Sequence, residues 1–290
     1  MTTDNRIGAY LRARRELVRP EDIGLPTLGQ RRVAGLRREE VALLAGISSD
    51  YYLRLEQGRD HNPSVQVLES LARVLRLDET ATAYLIGLAA PQTARRVRRR
   101  RTQTVPPGIL HLLDTLSVPA FVEGRYFDVL AANDLALAFS PNLQVGVNRL
   151  RAIFLDPAEQ ALCPNYELAM AHMVAAFRQS VGADTDDPRF VELVGELSIA
   201  SESFRRLWAR HDVQVREGSE TPMHHPLVGD LTLHKERLAI GGDDGLVLVV
   251  YHAAPGTGSA EKLALLASLA APVSAPDPAP ASAPTPARRA

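Results

Sequence analysis

Residues 40–59 contain two short helical patterns separated by one glycine, and this segment restricts the possible folds more than any other part of the chain. Gly46 lies between the two patterns, where it permits the positive backbone angle of a tight turn. Ala42 is small where two helices would cross closely. The segment therefore predicts two packed helices, the second of which keeps one face free. The side chains spaced to point inward are Ile47, Tyr52 and Leu55.

The free face of that second helix is typical of a surface that reads DNA. A recognition helix lies in the major groove and contacts base edges with its N-terminal side chains. Phosphate contacts from flanking basic and polar residues, helped by backbone amides at helix N-termini, hold such a helix in register. A small helical bundle with solvated arginines is the alternative interpretation. We predict base contacts for Ser49, Asp50, Tyr51 and Arg54, and phosphate contacts for Arg38, Arg59 and Asn62.

The charge of the chain is divided unequally between its two parts. Residues 1–104 contain 19 Arg, no Lys and 12 acidic residues, a net charge of +7, whereas the remaining residues carry −8. A basic first part favours contact with a polyanion. The arginine-rich run at residues 95–101 either follows the DNA backbone or forms a solvated hinge, and the sequence leaves both possibilities open.

Periodicity and composition divide the 290 residues into two domains, a linker and a tail. Residues 1–90 show amphipathic helical patterns, and residues 91–108 are rich in Arg and Pro. Residues 109–270 alternate between strand and helix patterns, which predicts an α+β domain after an all-α domain. The Pro- and Ala-rich residues 271–290 cannot bury a core, so we expect them to be disordered.

In the second domain the pattern predicts a hairpin, a helical middle part and three later strands. The hairpin comprises Ala120–Val122 and Tyr126–Ala131, and a glycine-rich turn at residues 241–245 is expected between the last two strands. The later strands are predicted at Asp230–His234, Leu238–Ile240 and Leu246–His252.

Several classes of protein are disfavoured by the sequence. The longest apolar run, Leu246 to Tyr251, is far shorter than the roughly 20 residues that cross a bilayer, and no secretory signal is found. We therefore expect a cytoplasmic, nucleoid-associated protein without a membrane span. The single cysteine, Cys163, allows no intrachain disulfide. No zinc-binding, nucleophile or phosphate-loop motif is found, so no catalytic residue, metal or cofactor is predicted.

Four short motifs follow one another within residues 7–64. They are Ile7-Gly8 with Leu11-Arg12 and Arg15, Ala42 with Gly46-Ile47-Ser48, Leu55-Glu56-Gln57-Gly58, and Asn62-Pro63-Ser64. Together they resemble the five-helix, repressor-type helix-turn-helix of the Xre family over most of residues 6–90. The resemblance implies a structural ion pair between Arg15 and Glu56 beneath the recognition helix. The longer first connection, Gly29–Val41, is similar to the version found in MmyB-like regulators of actinomycete type.

Two strings in the second domain, residues 201–213 and 225–233, resemble the ligand-binding domain of the same MmyB-like regulators. This resemblance covers about residues 107–270 and implies a PAS-like fold with an apolar pocket and a fatty-acid-type ligand. Each candidate ligand contact also has a structural interpretation, such as a helix cap, a salt bridge, a packed anchor or a satisfied histidine. The candidates are Asn133, Arg178, Trp208, His211 and His225.

Taken together, these patterns predict a transcriptional regulator that binds specific double-stranded DNA. Its second domain is expected to bind a small apolar or amphipathic effector such as a lipid. A homodimer is expected, since repressor-type modules usually read two half-sites about 34 Å apart. A second domain that only dimerises and an enzyme of unknown type are the two alternatives.

Overall fold

The computed structural model describes residues 5–25, 33–60, 62–89, 103–182, 187–213, 220–241 and 245–270. The arginine-rich run at 95–101, the tail at 271–290 and the middle of the predicted glycine-rich turn lie outside the described residues. The architecture is an all-α domain followed by an α+β domain, as the sequence predicted. No helix among the described residues is long and apolar enough to span a bilayer.

Five α-helices form the first domain within the described part of residues 5–89, and their starts follow local capping signals. The side chains of Ser48 and Ser64 accept hydrogen bonds from the amides of Tyr51 and Val67, and they thereby cap the starts of two helices. Asp78 accepts in the same way from the amide of Ala81. The helices are α1 (Arg6–Leu17), α2 (Arg38–Ala45), α3 (Ser49–Glu56), α4 (Val65–Val74) and α5 (Glu79–Ala89), with a short 3-10 helix at Pro20–Ile23.

Two glycines, one in a turn and one at a close helix contact, shape the packing of α1, α2 and α3. Gly46 adopts φ 72° in the turn between α2 and α3, as predicted. Gly8 of α1 lies so near α3 that a Cβ atom there would be 2.3 Å from the backbone oxygen of Glu56. The inward-facing Tyr52 and Leu55 are fully buried, and Ala42 is almost so. The predicted division of α3 into an inner and an outer face is therefore confirmed.

A buried carboxylate joins the same three helices. Glu56 Oε1 accepts a hydrogen bond from Arg15 Nε at 2.6 Å, and Glu56 Oε2 accepts one from Arg38 Nε, also at 2.6 Å. Arg15 also donates to the backbone oxygen of Leu36 at 2.9 Å. Burial alone would raise the pKa of Glu56, but the hydrogen bonds from both arginines outweigh it and hold that pKa below its ordinary value. The ion pair implied by the resemblance is thus present.

The second domain is a five-stranded antiparallel sheet with helices, in the strand order β2-β1-β5-β4-β3. The predicted hairpin is formed by β1 and β2, but its second strand begins at Val129 and not at Tyr126, because residues 125–127 form the turn. The strands are β1 (Ala120–Glu123), β2 (Val129–Ala132), β3 (Glu220–His225), β4 (Gly229–Ala239) and β5 (Val247–His252). The helices are α6 (Pro107–Thr115), α7 (Asp134–Phe139), α8 (Arg149–Leu155), α9 (Pro157–Ala161), α10 (Tyr166–Val181), α11 (Pro188–Ala200), α12 (Glu202–Ala209) and α13 (Gly258–Ala270), with a 3-10 helix at Pro141–Leu143.

Three elements of this domain differ from the sequence-based expectation. The two predicted strands Asp230–His234 and Leu238–Ile240 merge into the single strand β4, because the charged residues between them continue the alternation of the strand. Strand β3 was not predicted, since it contains Glu220 and Pro222, residue types that are depleted in strands. Helix α6 begins at Pro107, inside the segment predicted as a linker.

The strand alternation assigns each face of the sheet to different helices. Phe121 and Val249 pack in one cluster with residues of α7 and α13, whereas Val122 and Leu248 pack with Leu113 of α6. The face that carries Phe121 and Val249 is called the inner face below, and it also carries polar side chains of β1 and β4. A separate cluster of aromatic and aliphatic side chains joins α8, α10, α11 and α12.

Removal of the buried negative charge in the first domain should be strongly destabilising. We expect Glu56→Gln to lower the free energy of unfolding by about 3 kcal/mol, because the buried Arg15 would keep only the exposed Glu16, 3.7 Å away, as a counter-charge. The measurement is urea unfolding followed by helical circular dichroism. Glu69→Gln is the matched control, since Glu69 lies on the exposed face of α4 and should change stability by less than about 1 kcal/mol. Equal losses in both variants would contradict the assignment.

Candidate DNA interface and ligand cavity

The outer face of α3 presents a short polar surface. Ser49, Asp50 and Arg54 are exposed, and Tyr51 is half-buried. The Arg54 guanidinium lies 5.5 Å from the centroid of the Tyr51 ring, which keeps both side chains on the same side of the helix. These four residues stay predictions as base contacts. Their position on a rigidly held helix is what such contacts require.

The three predicted phosphate contacts flank α3 in the chain, and all three are exposed. Arg38 at the start of α2 uses its Nε atom to bind Glu56, which leaves its terminal Nη groups for an anion. The amide of Arg59 donates to the backbone oxygen of Arg54 at 2.9 Å, so this residue continues directly from the last turn of α3. Asn62 lies two residues before Ser64, which caps α4. These roles also remain predictions.

A cavity of about 110 Å³ lies in the second domain between the inner face of the sheet and helices α8 and α10. Its apolar wall includes Phe139, Leu143, Ile153 and Met173. Three cations also line it: Arg149 from α8, and Lys235 and Arg237 from β4. An apolar enclosure with a few convergent polar groups is the usual form of a small-molecule site.

One buried carboxylate serves two of these cations. Glu123 at the end of β1 is fully buried and accepts a hydrogen bond from Arg149 Nη1 at 3.1 Å. It also pairs with Arg237 Nη1 through its other oxygen. Burial would raise the pKa of Glu123, but the two arginines outweigh burial and hold that pKa below its ordinary value. The carboxylate is therefore charged, and it is shared by both arginines.

The third cation has no such partner. Within the described residues, the Lys235 ammonium makes no hydrogen bond or ion pair, and it lies 5.9 Å from the centroid of the Tyr251 ring. Burial, together with the nearby Arg149 and Arg237, lowers the pKa of Lys235 to about 7. The cavity thus contains a cation that its surroundings leave uncompensated.

None of the five side chains predicted to contact a ligand lines this cavity. Asn133 caps α7 and also donates to backbone oxygens of Leu116 and Val118, which ties α6 to the sheet. His225 is buried, lies 3.1 Å from the backbone oxygen of Ala138 through Nε2, and accepts from the amide of Leu227. Their contacts are structural ones. Ligand contacts from these two residues remain untested expectations.

The other three candidates form one cluster where the second domain meets the first. The Arg178 guanidinium lies 3.8 Å from the centroid of the Trp208 ring, and its Nη2 donates to the Trp208 backbone oxygen at 2.6 Å. Its Nη1 lies 3.1 Å from His211 Nδ1. Since arginine only donates, this histidine nitrogen has to accept, and the ring is neutral. Burial and the adjacent Arg178 and Arg14 lower the pKa of His211 to about 3.

This cluster contacts helix α1 of the first domain. Arg14 Nη1 donates to Asp212 Oδ1 at 2.6 Å, and both side chains are largely buried. The Tyr10 ring packs edge-on against the His211 ring, with centroids 6.2 Å apart, and also contacts Tyr84 of α5. The candidates from the sequence are therefore brought together at the boundary between the domains.

Comparison with known families matches both parts of the chain. Residues 6–85 match a helix-turn-helix domain, and residues 105–266 match the MmyB-like transcription regulator ligand binding domain. The chain belongs to the MmyB-like transcription regulators. It is accordingly a DNA-binding transcription regulator with a ligand-binding domain, and the two resemblances drawn from its sequence are confirmed. No curated protein matches the chain. Both matched families are regulator domains, a class that is usually not enzymatic.

The cations of the MmyB-like domain were not identified from its sequence. Lys235 and Arg237 lie in a polar stretch between the two strands that the sequence predicts. The signal was the period-two series Leu231, Leu233, Lys235, Arg237, which places all four side chains on one face if the strand is continuous. Arg149 gave no signal, because its buried position depends on Glu123 from a distant strand.

The neutral His211 should make the MmyB-like domain sensitive to acid. Because its pKa of about 3 in the folded state is below the ordinary 6.5, protons favour the unfolded state, and stability falls as the pH drops below about 6.5. Between pH 7 and pH 5 we expect an extra loss of about 2 kcal/mol relative to His211→Asn. Asn does not titrate, and it tolerates the φ of 55° at this position.

The measurement is chemical unfolding at both pH values, followed by the fluorescence of Trp208, the only tryptophan of the chain. Other groups titrate equally in both proteins, so the difference between them reports His211. An identical loss in wild type and variant would contradict a neutral, buried imidazole.

Proposed function

We propose that this regulator binds specific DNA sequences with the outer face of α3, and that occupancy of the cavity changes this binding through α10. The observation that carries the proposal is the position of α10. Its residues Met173 and Ala176 line the cavity, and Arg178, half a turn further on, contacts the cluster that meets the first domain. One rigid helix therefore contacts both the ligand site and the domain boundary.

Sequence-specific recognition is supported by the way α3 is held. Glu56 at the end of this helix is bound to Arg15 of α1 and Arg38 of α2, so the helix cannot tilt without breaking buried charge contacts. The exposed Ser49, Asp50, Tyr51 and Arg54 are then presented in a fixed geometry. Base contacts need this precision, because each good bidentate contact discriminates by about 1–3 kcal/mol.

Regulation by a ligand requires that the ligand bind two states of the protein with different affinities. The contact of Arg14 with Asp212 and the packing of Tyr10 on His211 offer a boundary that can exist in two arrangements. A ligand that shifts α10 would bias this boundary. We propose a small apolar or amphipathic effector, since the cavity wall is largely apolar.

We also propose that the regulator acts on DNA as a homodimer in the cytoplasm. A single helix-turn-helix buries little DNA surface, whereas two of them read half-sites about 34 Å apart with much higher specificity. Analytical ultracentrifugation of the full chain with and without an operator fragment tests this part.

The DNA-reading role is tested by two arginine variants on sites enriched from a genomic fragment library. Arg54→Ala should lose about 1–3 kcal/mol on the preferred site and little on other sequences, which relaxes the base preference. Arg59→Ala, the phosphate control, should weaken binding on all sequences alike and reduce the salt slope by about 1. Equal losses on all sequences from both variants would contradict the division of roles.

The coupling role is tested by adding an organic-solvent extract of the purified regulator back to the extracted protein. We expect DNA affinity to change by at least about fivefold, and Asp212→Asn to reduce that change while extract components still bind. Arg210→Ala is the matched control, since Arg210 also pairs with Asp212 but lies in the same domain. If native mass spectrometry finds nothing that binds saturably, the domain serves dimerisation and the proposal fails.

A further inference from the structure

The cavity also carries information on the class of its ligand, and this inference rests on the ligand-binding role proposed above. We infer that the cavity binds a small organic monoanion, such as a short-chain or aromatic carboxylate, whose charged group pairs with the ammonium of Lys235. The described side chains around the cavity do not balance the positive charge of Lys235.

One of the three cations around the cavity forms no ion pair with a carboxylate that the structure describes. Arg149 and Arg237 are both satisfied by the single carboxylate of Glu123, which lies beneath them. Lys235 has no hydrogen bond or ion pair with any residue that the structure describes. An uncompensated cation in a partly enclosed site is costly, and an anion brought by a ligand removes that cost.

The carboxylate of Glu159, which lines the cavity, is hydrogen-bonded to residues other than Lys235. Glu159 accepts a hydrogen bond from Ser140 Oγ at 2.8 Å and another from Asn142 Nδ2 at 3.3 Å, and it makes no ion pair with Lys235. Counting the lining Glu159 and the underlying Glu123 against three cations leaves a formal excess of one positive charge at the cavity. This excess favours a ligand with one negative charge over a dianion.

The use of lysine at this position is itself informative. Lys235 is one of two lysines among the 33 basic residues of the chain, although arginine occupies almost every other basic position. The compact ammonium group donates in three directions on a flexible stem, so it can follow a carboxylate that enters the cavity. The planar Arg149 and Arg237 are instead held in place by Glu123.

The size of the cavity limits the apolar part of the ligand. Its volume of about 110 Å³ is somewhat less than the roughly 150 Å³ of an engineered apolar cavity that binds benzene. Phe139, Ile153 and Met173 form the apolar wall against which such a body would pack. The space suits one ring or about five methylene groups, which is much less than the chain of a long fatty acid.

The test is isothermal titration calorimetry of the full-length protein with benzoate and hexanoate, each compared with its uncharged amide. We expect each carboxylate to bind at least tenfold more tightly than its amide, and dodecanoate to bind no more tightly than hexanoate. Lys235→Met should remove the preference for the acid. Lys262→Met, a change of the other lysine, is the matched control, because its ammonium donates to the backbone oxygen of Asp230 away from the cavity.

A second measurement keeps the inference testable if Lys235→Met is unstable. Binding of hexanoate, which stays ionised above pH 6, should weaken more than tenfold between pH 6.5 and pH 8.5 as Lys235 loses its proton. Lys235→Arg should bind with little change over this range. The charged and titratable groups that face the cavity, Arg149, Arg237, Glu123, Glu159, Cys163, His172 and Tyr251, are the same in both proteins, so the difference reports residue 235.

The possible results separate this inference from the proposed function. Equal binding of acids and amides, unchanged binding by Lys235→Met, or tighter binding of dodecanoate would overturn the inference, even if the solvent extract still alters DNA affinity. Selective, Lys235-dependent binding of a carboxylate supports the inference. If neither that bound carboxylate nor the solvent extract changes DNA affinity, the regulatory proposal fails while the ligand class stands.

Discussion

The geometry of the DNA-binding part depends on one buried carboxylate. Glu56 ends α3, and its two oxygens bind arginines from α1 and α2, so a single side chain fixes the angle at which the recognition helix leaves the bundle. Loss of this charge would leave the buried Arg15 with only the exposed Glu16, 3.7 Å away, as a counter-charge, which is strongly destabilising. The close approach at Gly8 depends on the same arrangement, because the backbone of Glu56 lies directly against it.

The second domain contains a similar arrangement with a different outcome. Glu123 is buried between Arg149 and Arg237, as Glu56 lies between Arg15 and Arg38. In the first domain the charged side chains pair with one another and hold the three helices rigidly together. In the second a further cation, Lys235, lines the cavity without an ion pair to any residue that the structure describes, and we propose that a ligand supplies the missing negative charge. Under our proposal, the same chemistry thus serves rigidity in one domain and ligand binding in the other.

Helix α10 gives these two units a physical connection. Its middle part borders the cavity and its end places Arg178 on Trp208 and His211, next to the contact of Asp212 with Arg14. The boundary is made of a few aromatic and charged side chains rather than a broad apolar core. An interface of this kind is readily rearranged by a small shift of one helix, as regulated domain contacts commonly are.

Local sequence by itself determined much of this protein. Caps such as Ser48 and Ser64, the turn at Gly46, the hairpin of β1 and β2, and the family of both domains follow from short-range patterns and motifs, because neighbouring residues dictate helix starts, turns and alternation. Only the tertiary structure decided where isolated polar residues lie. Arg178 and His211 meet the first domain and do not line the described cavity, whereas Arg149, Lys235 and Arg237 do. These placements depend on pairs such as Arg149 with Glu123, far apart in the chain, and a buried charge is stable only where a distant partner is brought to it.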